Sequence, residues 1–205
     1  MMTHDDAGPL AGLAAPALTA ELRREIAEVA GALADVARGA ILPLFRSRGL
    51  GADNKLAGGF DPVTEADRAA ERAMRALLAE LRPRDGIRGE EFGTLVGESG
   101  LTWVIDPIDG TRAFLAGAPT WGVLIAACDA SGPIYGIIDQ PHTGERWTGG
   151  FGAARLATPH GEGHLSTRPP RALGEAILLS TFPEIGTAEE RAAFTRVASE
   201  VRLVR

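Results

Sequence analysis

The apolar residues of this chain change their spacing once, and that change restricts the fold more than any other feature. From Thr19 to about Leu42, the residues Leu22, Ile26, Val29, Leu33, Val36 and Ala40 follow one another at steps of three and four. That is the spacing of one helical stripe, and Arg23, Arg24, Glu28 and Asp35 fall off it. Pro43 ends or kinks this helix. A second helix is predicted from Thr64, where Thr64-Glu-Ala-Asp67 has the form of a capping box. Ala66, Ala70, Met74, Leu77 and Leu81 make its stripe, and Pro83 closes it. Between the two, residues 46–60 are rich in glycine and read as a mobile loop.

Beyond Pro83 the spacing becomes that of strands. Thr102-Trp-Val-Ile105 is short, apolar and β-branched. Trp121–Cys128 and Ile134–Asp139 flank Asp129-Ala-Ser-Gly132, a turn signal that predicts a hairpin. Arg146–Thr148 and Ala154–Leu156 add shorter strands, and Ala176–Ser180 another. A third helix is predicted over Thr187–Glu200, before the chain reaches its end at Val201–Arg205. The fold class expected is α/β, in the form of an α+β layered sandwich. Two helices, about 19–45 and 64–82, lie on an antiparallel sheet drawn from about 87–157. The organisation expected is a flexible start (1–18), a first lobe (19–160) and a partial α/β lobe (170–205). A strand, a helix and the start of a new strand normally continue into a wider sheet, so this second lobe reads as cut short.

Composition narrows the function. With 205 residues, 45% apolar and 23% charged, the chain has the material for a buried core. A single cysteine, Cys128, excludes an intrachain disulfide and a thiolate metal cluster, and Cys128 itself reads as a small buried residue at a strand end. A net charge of -6 argues against a general grip on nucleic acid. No run approaches the ~20 apolar residues of a membrane helix, and the polar, acidic start lacks a targeting pattern. A cytoplasmic protein without membrane or nucleic-acid partners is expected.

The chemistry concentrates in Asp106-Pro-Ile-Asp-Gly-Thr111, directly after a predicted strand. Two carboxylates at a strand end can address one cation, Pro107 fixes a turn, Gly110 permits close backbone approach, and Thr111 adds a hydroxyl. A short helix starting at Thr111 would present free N–H groups suited to phosphate. Upstream lie Gly89-Glu-Glu91 and Asp61-Pro-Val-Thr-Glu-Ala-Asp67. These donors are all oxygens, which favours Mg²⁺ or Mn²⁺ over zinc. Other roles stay open: Asp67 as a helix cap alongside any ligand role, Thr111 as a cap, and Glu91 as a solvated acid. Arg146 reads as an exposed salt bridge or a contact to a substrate acid. His160 and His164 sit in a Gly/Pro loop with no third ligand and read as surface residues.

In this order and spacing, Asp67, Gly89-Glu-Glu91 and Asp106–Thr111 resemble the inositol monophosphatase family of magnesium-dependent, lithium-sensitive phosphatases, over about residues 20–205. Gly89-Glu-Glu-Phe-Gly93 and Ile138-Asp-Gln-Pro-His-Thr-Gly-Glu-Arg-Trp147 look most like its bacterial histidinol-phosphatase branch. The resemblance implies that Glu90, Asp106 and the carbonyl of Ile108 hold a first metal, and Asp106 and Asp109 a second. It implies that Asp67 and Thr111 place the attacking water, with Glu90 among the catalytic residues. Backbone N–H groups around Gly110 and Thr111 would receive the phosphate, beside Ile108 and Asp109. The family's later Trp-Asp motif has no counterpart here, since neither Trp103 nor Trp121 precedes an Asp and Trp147 precedes Thr148.

The activity implied is hydrolysis of a small phosphorylated metabolite by metal-activated water, with no phospho-enzyme. Histidinol phosphate, in histidine biosynthesis, is the first substrate expected. Inositol 1-phosphate and a 3',5'-bisphosphonucleotide are alternatives, and a homodimer stays open. The reading from another class is a non-catalytic remnant that keeps the N-terminal motifs.

Overall fold

The computed structural model of the protein describes residues 15–48, 52–54, 62–180 and 186–205. Residues 1–14 of the expected flexible start, most of the expected loop at 46–60, and Asp61 lie outside the described residues. The chain divides into two compact units, one up to Leu165 and one from Ser166.

In the first unit, α1 spans Ala20–Ile41, with the Thr19 side chain accepting from the Leu22 N–H as its cap. Its buried face is Ile26, Val29, Ala30, Leu33, Ala34, Ala37 and Ile41. The expected stripe is therefore rotated at its C-terminal end: Val36 and Ala40 are only half-buried, and Ala37 and Ile41 take the buried face. The helix stops at Ile41 rather than near 45, and a turn carries the chain through Pro43. The expected loop contains a strand, β1 (Ala52–Asn54), paired antiparallel with β2 (Pro62–Thr64). Next comes α2 (Glu65–Leu81), opened by the predicted capping box at Thr64 and Asp67. Leu78 rather than Leu81 ends its buried stripe, and Leu81 is exposed.

The sheet has eight strands. In chain order they are β3 (Gly86–Gly89), β4 (Thr94–Leu95), β5 (Thr102–Asp109), β6 (Gly122–Asp129), β7 (Gly132–Gln140), β8 (Glu145–Gly150), β9 (Ala153–Thr158) and β10 (Gly161–Gly163). Their spatial order is β10-β9-β8-β7-β6-β5-β3-β4. The predicted hairpin joins β6 and β7, and Asp129 closes its turn by accepting from the Ser131 N–H at 2.7 Å. The sheet is not wholly antiparallel, since β3 runs parallel to β5. The short β3 and β4 carry no β-branched run by which periodicity could have marked them.

Trp103 and Ile105 of β5, Val123, Ile125 and Ala127 of β6, and Ile137 of β7 alternate along their strands and face one core. The helices cover it, α1 over β6 and β7 and α2 over β5. Each fully buried Ile or Leu there contributes about 2 kcal/mol of apolar burial. Cys128 is buried on β6, as expected of a small apolar residue. His160 and His164 are exposed around β10.

The second unit holds β11 (Ile177–Leu178), α4 (Ala188–Ala198) and β12 (Leu203–Val204). The two strands pair in parallel, so the predicted strand–helix–strand unit forms. A capping box between Thr187 and Glu190 opens α4.

Candidate active site

The acidic motif does not follow the strand; it is the strand's end. β5 runs through Asp106-Pro-Ile to Asp109, beyond the Ile105 at which the sequence predicts a stop. Residues three apart on a regular strand point to opposite faces. Here the register against β6 shifts between Asp106, opposite Leu124, and Asp109, opposite Gly122. Three steps on one strand meet two on the other, a bulge that returns Asp109 to the side of Asp106. Pro107 and Ile108 fill the extra step and are buried, while Asp109 is exposed.

The chain then turns at Gly110, whose φ of 89° is the left-handed conformation. A Cβ there would meet the Thr120 carbonyl oxygen at 3.0 Å. The turn opens α3 (Thr111–Leu115). Thr111 does not cap this helix; its hydroxyl donates to the Ile108 carbonyl at 3.0 Å.

Asp106 is the centre of the site. Its Oδ1 is buried with no hydrogen-bond partner. Its carboxyl is pushed up from 3.8 to about 8, first by burial, then by the charge of Glu90 and a hydrogen bond with it, then by Asp109 and Asp67. Asp106 thus sits among acids, with Glu90 the one that bonds to it. Asp67, almost fully buried, is also raised, by burial first and last by the charge of Glu90, while its bonds to Thr64 act the other way. Its Oδ2 accepts from the Thr64 N–H at 2.8 Å and from the Thr64 hydroxyl. Asp67 is therefore a cap that also lies within reach of the charge of Glu90.

The close contact is the pair Glu90–Asp106, with Asp109 and Asp67 acting on it through their charge. Among the described residues, no three His, Cys, Asp or Glu side chains are gathered as a ready metal cage. The donor set nevertheless fits a hard divalent cation. It offers an unpartnered buried carboxylate oxygen on Asp106 and a second carboxylate, Glu90, bonded to the same group, all oxygen.

Two features escaped the sequence reading. Glu71 is fully buried on α2 and accepts the N–H groups of Glu91 and Phe92 at 2.7 and 3.1 Å. An acid four residues after Asp67 on the buried stripe, with Arg75 four residues further on, was the available signal. Arg146 is half-buried and forms two salt bridges, each at 2.7 Å: an exposed one to Asp35, as expected, and an inward one to the fully buried Asp139. With Asp139 fully buried beneath it, its guanidinium serves the fold.

Comparison with known proteins returns a consistent picture. The sequence profile of the inositol monophosphatase family matches residues 22–190. The chloroplastic bifunctional phosphatase IMPL2 of Arabidopsis thaliana is 38% identical over 179 residues, covering 86% of this chain and 50% of that protein. The histidinol-phosphatase of Streptomyces coelicolor is 39% identical over 141 residues, covering 64% of this chain and 52% of that protein. The chain spans about half the length of these curated relatives. Among solved structures, an inositol monophosphatase from Zymomonas mobilis superposes with a TM-score of 0.71 at 39% identity, over 91% of this chain and 70% of that one.

Proposed function

The chain belongs to the inositol monophosphatase family, and from that premise we propose that it is a Mg²⁺-dependent phosphomonoesterase acting on histidinol phosphate. The observation that carries the chemistry is the Glu90–Asp106 pair with its unpartnered Oδ1. Buried acids left facing acids are stable only when protonated or when a cation joins them. Glu90, Asp106 and the Ile108 carbonyl would hold that cation, with Asp109 alongside. Bound there, Mg²⁺ or Mn²⁺ acidifies water and neutralises phosphate charge.

The remaining roles fall to the chain's own groups. Asp67 and Thr111 orient the attacking water. The N–H groups of Gly110 and Thr111 receive the phosphate oxygens, at a turn that only glycine fits closely. The P–O bond to the alcohol breaks as the bond to the water oxygen forms, one proton of the water ends on the alcohol oxygen, and no residue is phosphorylated. In this reading Thr111 also braces the Ile108 carbonyl.

The substrate choice is supported by the likeness to a histidinol-phosphatase and by the Gly89–Gly93 and Ile138–Trp147 segments. Inositol 1-phosphate is the competing substrate, favoured by the likeness to the Zymomonas mobilis enzyme. Phosphate release from each, with and without Mg²⁺, tests both steps. Mg²⁺-dependent release with histidinol phosphate preferred is expected. A preference for inositol 1-phosphate reverses the substrate, and metal-independent release overturns the mechanism.

A further inference from the structure

We propose that Glu71 is a positioning residue that locks the Glu90 turn against Asp106 and thereby sets how tightly the acidic pair takes a divalent cation. The proposal rests on reading that pair as a metal site. Glu90 lies between two fixed peptides. On one side, Gly89 ends β3 and stands in parallel register with Ile105, the residue before Asp106. On the other, the peptide that begins Glu91 is held by Glu71 Oε2 at 2.7 Å.

Glu71 Oε1 takes the Phe92 N–H at 3.1 Å and the Arg75 Nε at 2.8 Å. Arg75 also donates to the Gly93 carbonyl, which accepts the Gly89 N–H at 3.0 Å and so closes the turn. One fully buried carboxylate thus holds two consecutive backbone donors of the loop that presents Glu90. The approach is so close that a Cβ on Gly89 would fall 1.9 Å from Glu71 Oε1. That glycine is required for Glu71 to reach the turn. Outer groups that hold a ligand in place typically change metal affinity by about 10–100-fold when lost.

Glu71→Gln keeps the size of the side chain but turns an NH₂ toward one of the two N–H groups. Two readouts on the folded protein decide the matter: Mn²⁺ affinity by titration of the free-ion EPR signal, and hydrogen exchange at the Glu91 and Phe92 amides without metal. The expected result is about tenfold weaker Mn²⁺ binding or more, with faster exchange at both amides. Gly89→Ala, which displaces Glu71 but keeps its charge, should do the same, and it decides the test should Glu71→Gln fail to fold.

Leu78→Ala, on the same helix and away from the turn, serves as control. It should lower the melting temperature while leaving Mn²⁺ affinity unchanged. Native-like Mn²⁺ affinity in Glu71→Gln, or an equal loss in Leu78→Ala, overturns the proposal. Should the native protein take up no Mn²⁺, the metal reading falls separately. Exchange then decides positioning alone: lost protection at Glu91 and Phe92 supports it and unchanged protection refutes it.

Discussion

Asp106 and Asp139 lie on β5 and β7, with β6 between them in the same sheet, and their surroundings are opposite. Asp139 is fully buried and finished. Arg38 of α1 donates to it at 2.7 and 3.2 Å, and Arg146 of β8 at 2.7 Å. Asp106 has an orphaned oxygen and three acidic neighbours. A carboxylate costs several kcal/mol to bury, and proteins recover that with cations and donors. At Asp139 the recovery comes from within the chain, and the pair of arginines ties α1 to the sheet. At Asp106 one oxygen stays without a partner and the neighbours are acids, and under the proposed function a bound cation would supply the recovery.

Four measurements sharpen or break this contrast. The largest effect is expected from Asp106→Asn, which should slow Mg²⁺-dependent phosphate release by about 10³-fold or more, about 4 kcal/mol in barrier. Above about pH 8, where the carboxyl ionises, the same change should leave the metal-free melting temperature unchanged or raised, since it removes repulsion. A lowered melting temperature in calorimetry would place Asp106 with the structural acids.

Asp139→Ala should do the reverse, by leaving Arg38 and Arg146 without their common partner. A loss of about 3 kcal/mol is expected, at the low end for a buried pair because both arginines keep some access to water. Urea unfolding measures it, and a change within experimental error would show that Asp139 does not anchor α1 to the sheet.

The third effect is a pH dependence. The Asp106 carboxyl lies at about 8 in the fold against an ordinary 3.8, so the folded chain binds this proton more tightly than the unfolded chain. Its contribution to stability is therefore complete below about pH 4 and is lost as pH rises through about 8. In metal-free protein the melting temperature should fall between pH 5 and pH 8.5, and the fall should be smaller in Asp106→Asn. Added Mg²⁺ should restore most of the loss at the alkaline end. Identical slopes in the two proteins would show that Asp106 does not carry the effect.

The smallest effect belongs to Thr111→Ala, which removes the hydroxyl bonded to the Ile108 carbonyl. About a tenfold loss in phosphate release is expected, about 1.4 kcal/mol, with little change in melting temperature. A loss as deep as that of Asp106→Asn would make Thr111 an equal partner in the chemistry.

Parts of the molecule governed by neighbours along the chain were legible from residue order alone. The stripes of α1 and α2, the capping box at Thr64, the β6–β7 hairpin and the Asp106–Thr111 motif all rest on contacts within a few residues, where periodicity and side-chain type suffice. The tertiary structure decided what depends on pairing across long stretches. Arg38 and Asp139 are 101 residues apart, and Glu71 and Glu91 are 20 apart. The parallel β3–β5 pair fixes Gly89 beside Ile105, and the bulge that brings Asp109 back to the face of Asp106 exists only in register with β6. A local pattern can say that an acid is present. Whether burial leaves it with arginines or with other acids is set by which strands and helices pack beside it, and that is a property of the folded chain.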